Sequence, residues 1–218
     1  MTDPLEPVRQ GLLEAALAHV PFDGWSAKAL DLAATDRGID PGRARVAFPG
    51  GVNDLIRYFA RNSDQRMRDG LATRDLTALR IRESIALAVK LRLEALNEYR
   101  EAVRRLIAHQ SLPQNMRPAL VDLFRTVDAM WSAIGDRSAD FSYYTKRALL
   151  AGVYSSTLLY WLSDESEDFA DTWSFLERRI DNVMSIQKVR GRFDAMAACL
   201  PSASRIAGRF RYPGGRTG

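Results

Sequence analysis

Residues 73–110 form a run of 38 positions without a single glycine or proline. These two residues are the strongest breakers of regular structure, so an uninterrupted run of this length is typical of a helix. Ile85, Leu87 and Val89 alternate with a period of two, which is a strand pattern, but Ala, Leu, Glu and Arg dominate the run. We predict a helix that is apolar on two sides and lies in the middle of a bundle.

Glycine and proline divide the rest of the chain into shorter helical segments. Ser26 is a typical N-cap, and Gly38 follows the end of the segment that Ser26 starts. Pro21 with Gly24 is expected to end the first helix, and Pro49 to end the third, which starts at Pro41. The pattern predicts an all-α fold, whose other helices cover residues 5–19, 26–37, 41–48, 52–70, 114–134, 142–162 and 168–189.

Charge is distributed unevenly along the chain, although the net charge is only +4. From residue 188 onward seven Lys or Arg face one acid, which is +6, and the remaining residues carry −2. We therefore predict three regions. Residues 1–70 are helix-turn-helix-like, residues 71–190 form a helical ligand or dimerisation domain, and residues 191–218 form a basic amphipathic tail.

Composition excludes several classes of protein. The single cysteine, Cys199, rules out a disulfide within one chain and suits a reducing compartment. No stretch approaches the roughly 20 apolar residues that cross a bilayer. The start, Met1-Thr2-Asp3-Pro4, lacks the basic-then-apolar pattern of a secretion signal. We expect a cytoplasmic protein that contacts a membrane without spanning it.

Candidates for catalysis are few, and each has a structural explanation. His19 and His109 lie near predicted helix ends, where a cation is favourable, and Cys199 has no nearby histidine. The chain has no glycine-rich phosphate loop and no nucleophile elbow. One acidic cluster surrounds a predicted helix start, where negative charge is stabilised: Asp164, Glu165, Glu167, Asp168 and Asp171. We predict no catalytic residue, no metal site and no enzymatic activity.

The N-terminal third resembles the DNA-binding region of the TetR repressor family. The resemblance rests on Leu12-Leu13-Glu14-Ala15-Ala16, Gly24-Trp25-Ser26, Leu32-Ala33, Gly38-Ile39-Asp40, Phe48 and Asp54-Leu55. Residues 1–60, however, hold six basic and eight acidic side chains, whereas DNA binding depends on excess positive charge. We do not expect DNA as a partner, but Arg43 and Arg45 remain candidate contacts. The alternative function is a TetR-type, ligand-responsive, DNA-binding transcriptional regulator.

Residues 131–184 resemble the COQ-nine family of ubiquinone-biosynthesis accessory proteins. The stretches that carry the resemblance are DFSYYTKRALL at 140–150 and DFADTWSFLERRI at 168–180. The resemblance implies a TetR-like fold without catalytic activity, a bound isoprenoid lipid or quinone intermediate, and a hydroxylase as partner. It also implies a C-terminal helix that touches membranes. Tyr143-Tyr144 stands where the family often has Trp-Tyr. The absence of a transit peptide favours a bacterial member, peripheral to the inner membrane.

Two sets of residues are candidates for binding. The first is an apolar run that lines either a lipid cavity or a plain bundle core: Leu149, Leu150, Val153, Tyr154, Leu158 and Trp161. The second has the aromatic, Met and Arg composition of interface centres and is either a partner surface or core: Met130, Trp131, Phe141, Tyr143, Tyr144, Lys146 and Arg147.

The tail and the last helices have predicted interactions of their own. A basic amphipathic segment can lie in an anionic membrane surface, and the alternative is a solvated tail. TetR-like proteins dimerise through helices near the C-terminus, so residues 143–162 and 168–189 are candidates for a homodimer interface. The predicted membrane-contacting residues are Phe193, Met196, Leu200, Ile206 and Phe210.

Overall fold

The computed structural model describes residues 3–136 and 141–183, and for residues 141–143 it describes the backbone alone. Every regular element in this part of the chain is helical. Two short 3-10 turns lie at Asn97–Tyr99 and Glu167–Phe169. The α-helices are α1 (Glu6–Asp23), α2 (Ala27–Asp36), α3 (Pro41–Ala47), α4 (Val52–Ala72), α5 (Ile81–Glu94), α6 (Arg100–Gln110), α7 (Pro113–Ala133), α8 (Phe141–Ser163) and α9 (170–183).

The first three helices adopt the predicted helix-turn-helix arrangement, in which α1 packs against α2 and α3. The Ser26 hydroxyl accepts a hydrogen bond from the Ala29 N–H, as expected of an N-cap. Gly38, with φ of +60°, turns the chain between α2 and α3, and the Asp40 carboxylate caps α3. The Trp25 indole donates to the Ala102 carbonyl at 2.9 Å, which anchors this region to α6.

The first helix extends past residue 19 and past Pro21, where it was expected to stop, and it ends at Gly24, the other residue of the predicted stop. Helix α1 continues through Pro21 to Asp23. A proline near the last turn removes only one hydrogen bond, so the helix tolerates it there. The helix ends at Gly24, whose φ is +66° and whose N–H donates to the Val20 carbonyl at 2.9 Å.

Residues 73–110 form two helices and not one. Helix α5 begins only at Ile81, and the chain turns through Asn97–Tyr99 before α6. No glycine or proline marks this break, so tertiary contacts decide it. Arg100, at the start of α6, donates to the carbonyls of Trp161 (2.7 Å) and Asp164 (2.9 Å) at the end of α8.

The later helices match their predicted positions and build the larger part of the core. Helix α4 packs against α5 and α7, and α7 packs against α8. The bounds of α7 and α8 differ from the predicted ones by a single residue at each end. The predicted last helix is preceded by the turn Glu167–Phe169, and its residues beyond 183 lie outside the described part.

The chain divides into two units, Met1–Glu177 and Arg178–Gly218. The site and all contacts reported below lie within the first unit. Of the second unit the structure describes only residues 178–183. The region boundaries expected after residues 70 and 190 stay a prediction.

Candidate functional site

A cavity of about 510 Å³ lies among α4, α5, α6, α7 and α8. Helical spacing explains its wall, because side chains three or four residues apart lie on one face of a helix. The volume falls within the usual range for small-molecule sites. The apolar side chains contributed by α6, α7 and α8 include Val103, Leu106, Ile107, Met116, Leu120, Leu123, Leu158 and Leu159.

The mouth of this cavity is apolar. Met116, Leu120 and Leu159 line the cavity, and their exposed fractions are 53%, 54% and 56%. Large apolar side chains gathered at a surface opening are characteristic of binding sites. An apolar ligand that enters here removes these side chains from water, which favours its binding.

The polar part of the cavity wall contains a buried ion pair. Arg92 lines the cavity, and its Nε donates to Asp64 Oδ1 at 2.7 Å; the two side chains are only 5% and 6% exposed. Thr126 also lines the cavity, and its hydroxyl donates to Asp64 Oδ2 at 3.2 Å. Arg92 Nη1 is buried and has no hydrogen-bond partner.

Tyr154 and Asp122 are among the other polar side chains that line the cavity. Burial raises the pKa of the Tyr154 phenol, which therefore stays protonated at neutral pH. The Asp122 carboxylate pairs with Arg57 Nε (3.5 Å) and Arg125 Nη1 (3.1 Å). The cavity is thus an apolar chamber with one buried cation, Arg92, that already has a carboxylate partner.

The six residues predicted to bind lipid lie at different depths. Tyr154 and Leu158 line the cavity. Leu150, Val153 and Trp161 are buried, and the cavity lining does not include them. Leu149 is half-buried and also lies outside the lining. The wall that sequence reasoning missed comes mainly from α6 and α7.

Six of the seven residues predicted to bind a partner fall into three groups. Met130, Trp131 and Arg147 are buried, so they are part of the protein interior and not of its surface. Tyr144 is 73% exposed. The side chains of Phe141 and Tyr143 lie outside the described part, as do the predicted membrane-contacting residues and Cys199.

Lys146 connects the exposed and the buried residues of this set. Its Nζ lies 3.0 Å from Asp136 Oδ1 and 5.5 Å from the centre of the Trp131 ring. Arg147 pairs with Asp128 at 2.7 Å and lies 3.8 Å from Asp136. These ion pairs hold the start of α8 against the end of α7 and leave Tyr144 on the surface.

Asp164, one member of the acidic cluster, is buried where α8 ends. Its carboxylate accepts hydrogen bonds from the Thr172 N–H and hydroxyl and from the Ser166 N–H. Burial alone would raise the pKa of Asp164, but these hydrogen bonds outweigh it and hold the pKa at about 2. Asp164 therefore orders the connection between α8 and α9.

The two histidines lie in different surroundings. His19 Nε2 lies 2.6 Å from Asp36 Oδ2, which links α1 to α2. His109 is half-buried, and burial lowers its pKa. Among the described residues no group of three or more His, Cys, Asp or Glu is placed to hold a metal ion.

Helix α3 corresponds to the recognition helix of TetR repressors, but it has few features of a DNA-binding helix. Arg43 and Arg45 are exposed, and so is the apolar Val46. The Asp40 carboxylate occupies the N-terminus of α3, where the helix would otherwise attract phosphate.

One signal for the buried ion pair was present in the sequence. Ala88, Arg92 and Leu96 are spaced by four residues, and all three are buried. An arginine within an otherwise apolar helical stripe indicates a buried charge that needs a partner. The sequence alone does not identify that partner, since Asp64 is 28 residues away on α4.

Comparison with known families finds a match in the C-terminal half of the chain. The COQ9 family model matches residues 116–187, a segment that includes both stretches of the predicted COQ-nine resemblance. Residues 116–187 of this chain thus form a COQ9 family domain. The predicted family is therefore confirmed.

Curated relatives agree with this assignment. The chain is 36% identical over 192 residues to the protein named ubiquinone biosynthesis protein COQ9, mitochondrial, of Rattus norvegicus, with 83% of this chain and 60% of the relative covered. The Homo sapiens protein is 34% identical, with 83% and 59% covered, and the Drosophila melanogaster protein is 31% identical, with 88% and 60% covered. The chain thus spans about three fifths of the length of these relatives.

A solved structure confirms the predicted all-α, TetR-like fold. The crystal structure of a TetR transcriptional regulator from Nitrosomonas europaea ATCC 19718 superposes with a TM-score of 0.66. The match covers 82% of this chain and 99% of the regulator, at 22% sequence identity. Within the described part of the chain, no helix is both long enough and apolar enough to cross a membrane.

Proposed function

We propose that this COQ9-family protein is a non-enzymatic accessory protein of ubiquinone biosynthesis. It binds an isoprenoid quinone intermediate in the cavity and presents it to a hydroxylase at a membrane. The observation that carries the proposal is the apolar cavity with its apolar mouth, in a chain whose relatives are named for ubiquinone biosynthesis.

The cavity fits the physical task. A polyprenyl chain leaves a bilayer only if another apolar environment replaces the lipid. The walls supplied by α6, α7 and α8 provide that environment, and the mouth at Met116 and Leu159 gives the chain an apolar path inward. Nothing in this role needs a catalytic side chain.

Leu158→Arg should abolish copurification of lipid. Leu158 is half-buried in the cavity wall, so an arginine there places a charge in the chamber or at its mouth. We expect the lipid-to-protein ratio of the natively purified protein to fall by about tenfold or more. Mass spectrometry of extracted lipids measures that ratio.

Ala148→Arg is the matched control, because Ala148 is exposed on the same helix and outside the cavity lining. This variant should keep its lipid, and both variants should keep the melting temperature of the wild type within a few degrees. Equal lipid content in Leu158→Arg and Ala148→Arg would exclude the cavity as the binding site.

The partner surface is proposed to centre on Tyr144. An exposed tyrosine supported by buried aromatic and charged groups resembles an interface hot spot. The contacts that hold Lys146 and Arg147 in place also position the first turn of α8, which carries Tyr144.

Tyr144→Ala should weaken binding to the hydroxylase by about tenfold or more, with little effect on folding, because hot-spot tyrosines contribute more than about 1 kcal/mol. Copurification with the hydroxylase, quantified by pull-down, measures the effect. Phe22→Ala, an exposed aromatic residue on α1, is the control and should bind as the wild type does. Identical recovery for both variants counts against the surface.

Membrane contact through the tail and homodimer formation complete the proposal. The basic composition from residue 188 onward supports attraction to an anionic surface. The predicted membrane-contacting residues, Phe193, Met196, Leu200, Ile206 and Phe210, lie outside the described part of the chain.

A further inference from the structure

A groove of about 950 Å³ runs along α4 and shares no lining residue with the apolar cavity. Residues around the start of α1, the end of α3 and one residue of α7 complete its walls. Guanidinium groups bind phosphate and carboxylate oxygens through paired hydrogen bonds, so unpaired arginines in a groove indicate an anion site. Five arginines line this groove: Arg9, Arg57, Arg61, Arg68 and Arg125.

The end of the groove at α1 is acidic. Arg9 Nη1 lies 2.5 Å from Asp3 Oδ2 and 3.7 Å from Glu6 Oε2, so one cation faces two carboxylates. The Tyr58 hydroxyl donates a hydrogen bond to Glu6 at 2.8 Å. An extended polyanion that followed the groove would meet this negative end. The groove therefore suits a compact anion at its other end, between α4 and α7.

Two of the arginines at the α4–α7 end already have carboxylate partners. Arg57 Nη1 lies 3.0 Å from Asp54 Oδ1. Asp122 Oδ1 is shared by Arg57 Nε at 3.5 Å and Arg125 Nη1 at 3.1 Å. The Arg125 side chain is still 54% exposed, so its guanidinium is open to a ligand from the α7 side.

Arg61 and Arg68 are exposed, and neither forms an ion pair with a residue that the structure describes. Arg68 Nη1 donates to the Gln65 side-chain oxygen at 2.6 Å, which leaves its charge unneutralised. Arg61 lies one helical turn beyond Arg57, and Arg68 lies two turns beyond Arg61, about 10 Å further along the axis. All three line the same groove.

The α4–α7 end therefore carries more positive than negative charge. Its four arginines face the two carboxylates of Asp54 and Asp122, which leaves a surplus of two positive charges. The remaining acid of the lining, Asp64, is buried and neutralised by Arg92 at 2.7 Å. A phosphate monoester carries a charge of about −1.5 to −2 near neutral pH, which matches this surplus better than a singly charged carboxylate or phosphodiester does.

We propose that this end of the groove binds the dianionic phosphoryl group of a phosphate monoester. Arg61 contacts the phosphoryl oxygens, Arg125 approaches from α7, and Arg68 attracts the anion from further along α4. The group belongs to a soluble ester or to a lipid head group, which present the same oxygens. Because the groove and the cavity share no lining residue, this inference does not depend on the proposed function.

Methyl phosphate and dimethyl phosphate test the charge requirement, because they differ by one negative charge. The full-length protein is titrated with each at the same low ionic strength, and isothermal titration calorimetry measures the affinity. We expect methyl phosphate to bind with a dissociation constant of about 1 mM or lower, and about tenfold or more tightly than dimethyl phosphate.

Arg61→Gln assigns the binding to the groove, since the basic tail also attracts anions. This variant should bind methyl phosphate about tenfold more weakly than the wild type. Arg43→Gln is the matched control, because Arg43 is an exposed arginine of α3 outside the groove lining. It removes the same charge and should keep its affinity within about twofold of the wild type. Both changes are at exposed positions, so both variants should keep the melting temperature of the wild type.

Vesicles of phosphatidylcholine with and without phosphatidic acid identify the source of the phosphoryl group. If Arg61→Gln loses binding to the phosphatidic acid vesicles and Arg43→Gln does not, then the source is a lipid. If neither variant differs from the wild type on vesicles while methyl phosphate binding depends on Arg61, then the source is a soluble ester. Equal affinity for the two phosphate probes overturns the dianion requirement. Equal affinity of the two variants for methyl phosphate, or no saturable binding by the wild type, overturns the site and leaves the proposed function untouched.

Discussion

Arg92→Met should lower the free energy of unfolding by about 3–5 kcal/mol, the usual loss when one partner of a buried ion pair is removed. The variant leaves the Asp64 carboxylate buried with only the Thr126 hydroxyl as a partner. An unpaired carboxylate away from water is strongly unfavourable, and the folded state either keeps that charge or takes up a proton. Urea unfolding at neutral pH measures the loss.

The paired variant Asp64→Leu/Arg92→Met is the control for this effect. It removes both charges, so it should unfold within about 1–2 kcal/mol of the wild type and be clearly more stable than the single variant. If Arg92→Met alone loses less than about 1 kcal/mol, then the ion pair does not hold α4 and α5 together as argued.

Asp164→Ala should destabilise the protein at neutral pH and much less so in acid. The folded-state pKa of Asp164, about 2, lies below its ordinary value of 3.8. The group therefore contributes stability that is fully present above a pH of about 4 and is lost as the pH falls from about 4 to about 2. The difference between the two pKa values corresponds to about 2 kcal/mol.

The measurement is the difference in unfolding free energy between wild type and Asp164→Ala at several pH values. That difference should shrink by about 2 kcal/mol between about pH 5 and pH 2. Ser174→Ala, an exposed change without a titrating group, should show a constant difference from the wild type. A constant difference for Asp164→Ala as well would mean that the hydrogen bonds from Thr172 and Ser166 do not lower its pKa.

These two residues link the fold to the proposed site. Arg92 connects α5 to α4 directly beside the cavity, and Asp164 orders the chain where α8, a cavity wall, ends. The Asp164 carbonyl also accepts from Arg100 at the start of α6. Both contacts hold the helices that enclose the ligand at fixed positions.

Local sequence determined which residues become helical. Ser26 and Asp40 cap their helices through bonds to residues two or three positions away, and Gly38 turns the chain with a φ that few other residues adopt. Signals of this kind act over a few residues, so they can be recognised directly in the sequence. The COQ-nine resemblance of residues 131–184 was equally visible, because it rests on a linear pattern of aromatics and charges.

Only the tertiary structure decided where the run 73–110 breaks and which side chains enclose the cavity. The turn before α6 depends on Arg100 reaching carbonyls 61 and 64 residues away. The polar part of the cavity wall depends on Arg92 meeting Asp64 and on Thr126 joining them from α7. Helical periodicity shows that a face is apolar, but it does not show whether that face meets another helix or an open space. That is why Leu150 and Trp161 became packed core while Leu106, on α6, became cavity wall.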